Sequence, residues 1–506
     1  MDVRYKDLNL EKIATDLLVV PVHDSPPQDP LVGRFDRLLK GKLCEHIRKA
    51  KFTGAEATTL LHSMNGSGWA GHILLAGLGK SAETASDTWR KVAARAKKEA
   101  VGLGADEVAF YLSQGSEPAP TAAAIVEGTL FASYQFGKYR SETRAATGLK
   151  TLSFARPGLK RTAALDQAVG WAQELVRGVF LARDLVNEPP SVTTASYLGE
   201  QALLHCRGRN LNVEVWNKKK IQAMNLAGLL AVNRGSADEP RFIVIHYRPA
   251  GKIKKKIAVI GKGITFDSGG LSLKSAKSME TMKLDMSGAA AIIGAMSVVG
   301  RLSPPVEVLA YIPCTDNLPS GSAQKPGDVI RYLNGKTAEV VNTDAEGRLI
   351  LADGLALAVK QKPDCMINLA TLTGACMVAL GPEIAGVFGN NQPLVETVMR
   401  CAREAGEKVW QLPLAKEYRD DIRSSVADIK NVGGSHGGAI TAALFLHEFV
   451  DNTPWVHLDM AGPAFAEKDT PLCPKGGTGF GVRTLLKFFS VFQGNENQKI
   501  RGRSET

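Results

Sequence analysis

The sequence predicts an α/β protein of two domains, a small N-terminal α/β domain and a larger C-terminal α/β/α domain on a mostly parallel central sheet. Three observations predict it. The chain has 506 residues, more than one ordinary core organises. Short apolar runs of strand length alternate with Ala-rich helical patterns, as in parallel strands joined by crossover helices. The composition is 44% hydrophobic and 22% charged with 50 glycines, which suits a soluble chain with many strand-to-helix turns.

In the first domain, residues 1–163, the apolar runs 16–22 and 73–77 read as buried strands. Residues 89–101, rich in Ala, Lys and Arg, read as a helix. A strand over 107–112 and a helix over 121–134 follow, giving strands in mixed directions. No nucleotide-binding glycine pattern occurs, so this domain carries no chemistry legible in sequence. Between about 140 and 163 the periodicity is lost, with Pro157 and Gly158 in the gap.

A connecting helix, 164–188, comes next. Leu165, Ala168, Val169, Ala172, Leu175, Val176, Val179 and Phe180 recur at three- and four-residue steps, with Asp166, Gln173, Glu174 and Arg177 on the other face. Asn187-Glu188-Pro189-Pro190 ends it, because proline forbids continuation. The larger domain, 189–492, predicts strands at 241–247, 256–261, 306–312, 365–370 and 455–459. Helices fall at 287–299, 349–361, 439–450 and 482–489. Asn334-Gly335 between 329–333 and 337–341 signals a hairpin. Such sheets place ligands at the carboxyl ends of their strands. A polar tail, 493–506, is expected to be disordered.

The net charge of +11 reads as a solvated, Lys-rich surface, with attraction to nucleic acid or acidic ligands as the sharper alternative. Lys218-Lys219-Lys220 is one basic cluster. Lys252 with Lys254-Lys255-Lys256 is another, and reads as a solvated hairpin turn. Seven widely spaced cysteines without a Cys-x-x-Cys pair argue for reduced thiols, not a disulfide framework. The N-terminus lacks the apolar core of a signal peptide. No stretch is expected to reach the roughly 18 apolar residues that span a bilayer. A cytoplasmic location is the simplest account.

Three segments carry candidate chemistry. In the first, Lys262 and Asp267 follow the strand at 257–260, and the loop glycines allow close backbone approach. In the second, Asp285 precedes a helical run, where Asp also serves as a helix N-cap. The third is Asn342-Thr343-Asp344-Ala345-Glu346-Gly347-Arg348, between apolar flanks. Acids there are costly unless paired or metal-bound. A solvated turn with Arg348 partnering Glu346 is the plainer reading. Together the domain brings Asp267, Asp285, Asp344 and Glu346 to strand or helix ends. Four carboxylates repel one another, and a pair of cations roughly 3.5–4 Å apart is the usual solution. None of the nine histidines lies near these segments, so the site is oxygen-rich. That permits Mn²⁺ or Mg²⁺ and does not exclude Zn²⁺.

The stretches 261–270 and 342–348 resemble signatures of the leucine aminopeptidase family, peptidase family M17. The spacing of Lys262, Asp267, Lys274, Asp285, Asp344, Glu346 and Arg348 is similar to that family throughout. Ala370-Thr371-Leu372-Thr373-Gly374-Ala375, Gly437-Gly438-Ala439-Ile440-Thr441-Ala442-Ala443 and His457-Leu458-Asp459-Met460-Ala461-Gly462 add to the likeness. It covers roughly residues 165–490; the first 160 share only the order of elements.

The resemblance implies a metal-dependent aminopeptidase that hydrolyses the N-terminal peptide bond of peptides with leucine-type broad specificity. It implies two divalent ions per subunit, Mn²⁺ or Zn²⁺ with Mg²⁺ admitted. Asp267 and Glu346 would bridge them, Asp344 would complete one site, and Lys262 and Asp285 the other. A lysine ligand must be neutral, and a dication at bonding distance displaces its proton from a group of ordinary pKa about 10.4. A metal-bridging water or hydroxide would attack, the substrate amine would bind one metal, and Lys274 would stabilise the oxyanion. Arg348 would anchor bicarbonate as general base. Met282, Asn342, Thr371, Leu372 and Ala461, with Lys274, match the family's substrate pocket; core packing is the rival reading for the apolar ones. A homohexamer is implied in the same way.

Two departures are small. Ser275-Ala276 follow Lys274 where many relatives have proline, and Ser435-His436 stand where relatives often carry Arg. Two other functions stay in view, a nucleic-acid-binding regulator on the same fold and a different two-metal hydrolase such as a phosphatase.

Overall fold

A computed structural model of the protein describes all residues except 9–11, 65–69, 81–83, 114–116, 142–147, 209 and 493–506. The expected polar tail therefore lies outside the described residues. The chain divides into two compact units, Met1–Val176 with Lys468–Lys475, and Arg177–Glu467 with Gly476–Thr506.

The first unit holds a six-stranded sheet of β1 (Asp2–Lys6), β2 (Thr15–Val22), β3 (Thr59–Ser63), β4 (Ala70–Gly77), β5 (Glu107–Tyr111) and β6 (Thr151–Ala155), in the order β1-β6-β5-β2-β4-β3. All neighbours are parallel except β3 and β4. The continuous apolar run of β2 follows from burial on both faces. Leu17 and Val19 enter one core with α3 (Ser86–Leu103) and α4 (Pro118–Phe131). Leu18 and Val20 enter another with α1 (Pro30–Leu38) and α2 (Lys42–Lys49). Each such side chain contributes about 1.5–3 kcal/mol when fully buried. Helix α1 starts where the Asp29 carboxylate accepts from the Leu31 N–H at 2.8 Å, with proline in the first turn. Strands β1, β3 and β6 and helices α1 and α2 go beyond the sequence expectation. All five residues of β6 are buried, although they fall in the stretch expected to lack periodicity.

Helix α5 (Ala163–Asn187) ends before Pro189-Pro190, and the two units part within it, between Val176 and Arg177. The second unit's strands are β7 (Leu211–Trp216), β8 (Arg241–Tyr247), β9 (Lys256–Gly261), β10 (Gly263–Asp267), β11 (Glu307–Asn317), β12 (Val329–Arg331), β13 (Thr337–Glu339), β14 (Cys365–Ala370), β15 (Ala385–Gly389), β16 (Val409–Gln411), β17 (Ile429–Lys430) and β18 (Trp455–Asp459). Its nine-stranded sheet runs β16-β15-β18-β14-β9-β11-β8-β7, with β10 also on β11. The central neighbours β18, β14, β9 and β11 are parallel, so their carboxyl ends share one edge. Antiparallel pairings at β15 with β18, and among β11, β8 and β7, make the whole sheet mixed. Because β11 separates β8 from β9, the lysine-rich turn at 252–256 is a crossover, not the hairpin expected from sequence. The Asn334-Gly335 hairpin is present as β12 and β13.

Helix α6 (Ser287–Leu302) packs on β9 and β14, and α7 (Glu346–Val359) packs on β9 and β11. Ala258 and Ile260 of β9 join the α7 side of the core, so Ile257 and Val259 point the other way. The 21-residue run Met282–Leu302 is long and apolar enough to cross a bilayer, which corrects the sequence expectation; most of it is buried as a core helix. All seven cysteines are free.

Candidate active site

The site forms where the parallel strands end. Strand β9 leaves β14 at Lys262, whose N–H donates to the Leu369 carbonyl at 3.1 Å. The chain then continues as β10 along the end of β11, with a bulge between Ile264 and Asp267. Bulges re-aim side chains, and here Asp267 comes to lie opposite Asn317. Asp285 arises from the 3₁₀ turn Met282–Met286 that leads into α6. Asp344 precedes α7, and Glu346 is its first residue.

Lys262 is the hub. Its Nζ lies 2.8 Å from both carboxylate oxygens of Asp285, 2.9 Å from Glu346 Oε1 and 2.9 Å from the Thr371 carbonyl. Thr371 Oγ1 also donates to Asp285 Oδ1 at 2.8 Å. Asp285 therefore faces the lysine and Thr371 and is not the helix cap that its sequence position also allowed, since the residue at that position is Met286. A Cβ at Gly347 would run into Lys262 Cε, Cδ and Nζ, so any larger residue there would displace the lysine's end from its carboxylate partners. On the other side, Lys274 Nζ lies 2.9 Å from Asp267 Oδ2 and pairs with Asp344 Oδ1. Its side chain is 15% exposed, so it is no free loop lysine.

Oxygens of Asp267, Asp344 and Glu346 all lie within 4.8 Å of one another. Four carboxylates thus face two ammonium groups in a mostly buried space. Burial raises the carboxyl pKa values of Asp285, Asp344 and Glu346, and the Asp267 charge adds to all three. Burial alone would lower both lysines; the surrounding carboxylates outweigh it and raise them. Glu346 Oε2 is buried without a hydrogen-bond partner. An oxygen-rich cluster with excess negative charge and an orphaned carboxylate oxygen fits divalent metal ions.

Arg348 does not partner Glu346. Its Nη1 donates to the Asn431 carbonyl at 2.6 Å, and its Nε is buried without a partner. Burial pushes its pKa down to about 10. Of the expected pocket residues, Thr371 is buried, and Met282, Asn342, Leu372 and Ala461 are half-buried. Met282 opens the turn that carries Asp285. Asn342 Oδ1 accepts from the Asp344 N–H at 2.8 Å. Thr371 and Leu372 follow β14, and Ala461 follows β18, on the same sheet edge.

Sequence reading missed the neutral residues that hold this frame. Asn317 Nδ2 donates to Asp267 Oδ1 at 2.9 Å and to the Thr343 carbonyl at 3.0 Å. Thr343 Oγ1 donates to the Gly269 carbonyl at 2.6 Å. Asn431 Oδ1 accepts from the Val341 N–H at 2.8 Å, and its Nδ2 donates to the Asn342 carbonyl at 2.6 Å. Thr343 lies within the 342–348 segment singled out from sequence, without a task assigned to it there; the only sequence signal of Asn317 and Asn431 is nearness to the ends of strands.

Residues 180–486 match the cytosol aminopeptidase family, catalytic domain, and residues 19–143 match that family's N-terminal domain. The chain belongs to the cytosol aminopeptidase family. A probable cytosol aminopeptidase of Geobacter sulfurreducens is 42% identical over 478 residues, covering 94% of this chain and 96% of that protein. One of Chlorobaculum tepidum is 45% identical over 435 residues, covering 82% and 86%. Among solved structures, a mutant of tomato leucine aminopeptidase superposes with a TM-score of 0.87 at 33% identity, covering 97% of this chain and 96% of its own. The bottromycin maturation enzyme BotP in complex with Mn gives 0.83 at 32% identity, covering 95% and 100%. This cytosol aminopeptidase family member is a metal-dependent aminopeptidase acting on peptides, with the expected two-domain α/β fold. The matches favour neither the nucleic-acid-binding regulator nor the phosphatase.

Proposed function

We propose that the protein removes N-terminal residues from peptides with leucine-type broad specificity, using two divalent ions held by Lys262, Asp267, Asp285, Asp344 and Glu346. The observation that carries the reading is the convergence of Asp267, Asp344 and Glu346 oxygens within 4.8 Å, with Lys262 and Asp285 completing the cage. Asp267 and Glu346 would serve both ions, Asp344, which pairs with Lys274, would complete one site, and Lys262 and Asp285, beside Thr371, would complete the other. When bound, Mn²⁺, Zn²⁺ or Mg²⁺ supply an acidified water and Lewis-acid polarisation of the scissile carbonyl.

The chain's own groups do the rest. To hold an ion Lys262 would have to give up its proton, since only the neutral amine donates a lone pair, and a bound dication would supply the drive for that loss. Lys274 keeps its proton at Nζ and presents it to the oxyanion that develops on the carbonyl. Arg348, with Nη1 fixed on Asn431 and Nε unpartnered, would hold a bicarbonate ion, which would supply the general base. Met282, Asn342, Thr371, Leu372 and Ala461 shape the pocket for the terminal residue. A homohexamer in the cytoplasm is the form in which we expect it to work.

An assay on chelated protein, re-supplied in turn with Mn²⁺, Zn²⁺ or Mg²⁺, tests this. Leucine anilide should be cleaved after metal return, while N-acetyl-leucine anilide and aryl phosphate stay intact. Cleavage of the blocked anilide, or turnover indifferent to chelation, contradicts it.

A further inference from the structure

The Asp459 carboxylate has no part in the proposed chemistry, although its segment, 457–462, also carries Ala461. It ends β18, is fully buried, and gathers four donors. Its Oδ1 accepts from the N–H groups of Leu372 at 3.2 Å, Thr373 at 3.4 Å and Ala461 at 3.3 Å, and its Oδ2 accepts from Thr373 Oγ1 at 2.7 Å. These donors come from two separate loops, one after β14 and one after β18. The strands beneath them are paired in register, Ala370 opposite Asp459, and the Met460 N–H donates to the Ala370 carbonyl at 2.8 Å. One side chain therefore cross-braces the two loops that carry Thr371, Leu372 and Ala461.

The brace reaches further through Thr371. That residue's carbonyl accepts from Lys262 Nζ, and its own hydroxyl donates to Asp285 Oδ1. Thr373, held by Asp459, also caps the next helix, accepting from the Cys376 N–H at 3.0 Å. An Asp is suited to this position, because a carboxylate accepts from every direction and has no donor to turn against four N–H and O–H groups. Asparagine has the same shape, but with its amide nitrogen at the Oδ2 position the Thr373 hydroxyl must turn to accept from it, and the hydroxyl's own buried proton loses its carboxylate acceptor.

We infer that Asp459 is a positioning residue that sets selectivity for the N-terminal side chain, by fixing the 371–373 and 460–462 loops against each other as opposite walls of one pocket. The inference rests on the proposed reading that Leu372 and Ala461 line that pocket. Asp459 touches no reacting atom. Its effect is on the distance between walls, and selectivity among apolar side chains is sensitive to such distances because one methylene is worth roughly 10–200-fold.

The test compares kcat and KM of the metal-loaded enzyme on leucine, methionine and alanine anilides for wild type, Asp459→Asn, Thr373→Val, Thr373→Ser and Leu372→Ala. Metal content is measured on each. For Asp459→Asn we expect the leucine-over-alanine ratio of kcat/KM to fall about tenfold, chiefly through KM, with metal content unchanged. Thr373→Val, which removes one of the four bonds, should move the ratio the same way by less, and Thr373→Ser should restore it. A merely structural role would lower the active fraction equally for all three substrates and leave the ratio unmoved. If Leu372→Ala shifts the ratio while Asp459→Asn and Thr373→Val do not, the inference is overturned and the pocket reading stands. If Leu372→Ala also leaves it unmoved, the pocket reading fails and takes the inference with it. Should Asp459→Asn not fold, the two Thr373 variants decide by the same criterion.

Discussion

Lys262 Nζ and Glu346 Oε1 lie 2.9 Å apart and join the end of β9 to the first turn of α7. Both side chains are almost wholly buried, at 4% and 2% exposure. In this pair, as across the site, each buried carboxylate leans on a lysine. Removing one partner of such a pair costs about 3–5 kcal/mol, because the other charge stays buried. Lys262→Ala should therefore lower the melting temperature sharply in chelator. Excess Mn²⁺ should recover more of that loss in the variant than it adds to wild type. Scanning calorimetry with and without Mn²⁺ checks this, and equal shifts in both proteins contradict it.

Arg348 offers a planar fork already anchored by Nη1 on Asn431. Arg348→Lys keeps the charge but loses that geometry. Its kcat should fall about a hundredfold, the scale of a lost general base. Metal content, measured by mass spectrometry, should not change.

Asp353 lies in the core below the site, accepting from the Leu229 N–H at 2.7 Å, and burial pushes its carboxyl pKa up to about 8. An unfolded Asp titrates near about 3.9. The folded protein thus holds a proton that the unfolded chain has lost, so this contribution is complete below about pH 4 and disappears as pH rises towards 8. Asp353→Asn should remove that slope. Its stability relative to wild type should rise between pH 5 and 8, by at most about 1.4 kcal/mol per pH unit. Urea denaturation of the metal-loaded proteins across that range is the check.

The charged part of the site is legible in sequence for a physical reason. Asp267, Asp344 and Glu346 stand beside apolar strands and helices, where ionised groups need partners, and together with the family's spacing their positions point to chemistry. The neutral frame has no such mark. Asn317, Thr343 and Asn431 work by matching backbone groups across the sheet edge; Thr343 sits inside the singled-out 342–348 segment, but nothing in composition or spacing separates Asn317 and Asn431 from ordinary loop residues. The same holds for the fold. Strands β2, β9 and β14 are apolar runs and read plainly. Edge strand β1 alternates polar residues on an open side, and β6 is too short to show a period among its Pro- and Gly-containing neighbours. The lysine turn at 252–256 misled because sequence neighbours often pair, and here β11 arrives later in the chain to lie between them.

Asn317 gives that frame a measurable consequence. Its amide fixes Asp267 Oδ1 and the Thr343 carbonyl together. Groups that orient metal ligands in this way are worth about 10–100-fold in metal affinity. Asn317→Ala should weaken Mn²⁺ binding by that factor in calorimetric titration while the fold persists by circular dichroism.

The central claim is that five side chains far apart in sequence enclose a pair of cations. Anomalous diffraction from crystals grown with Mn²⁺ tests it most directly. The account predicts a pair of peaks sharing Asp267 and Glu346, one beside Asp344 and the other beside Lys262 and Asp285. Peaks elsewhere, or none among these side chains, would contradict it.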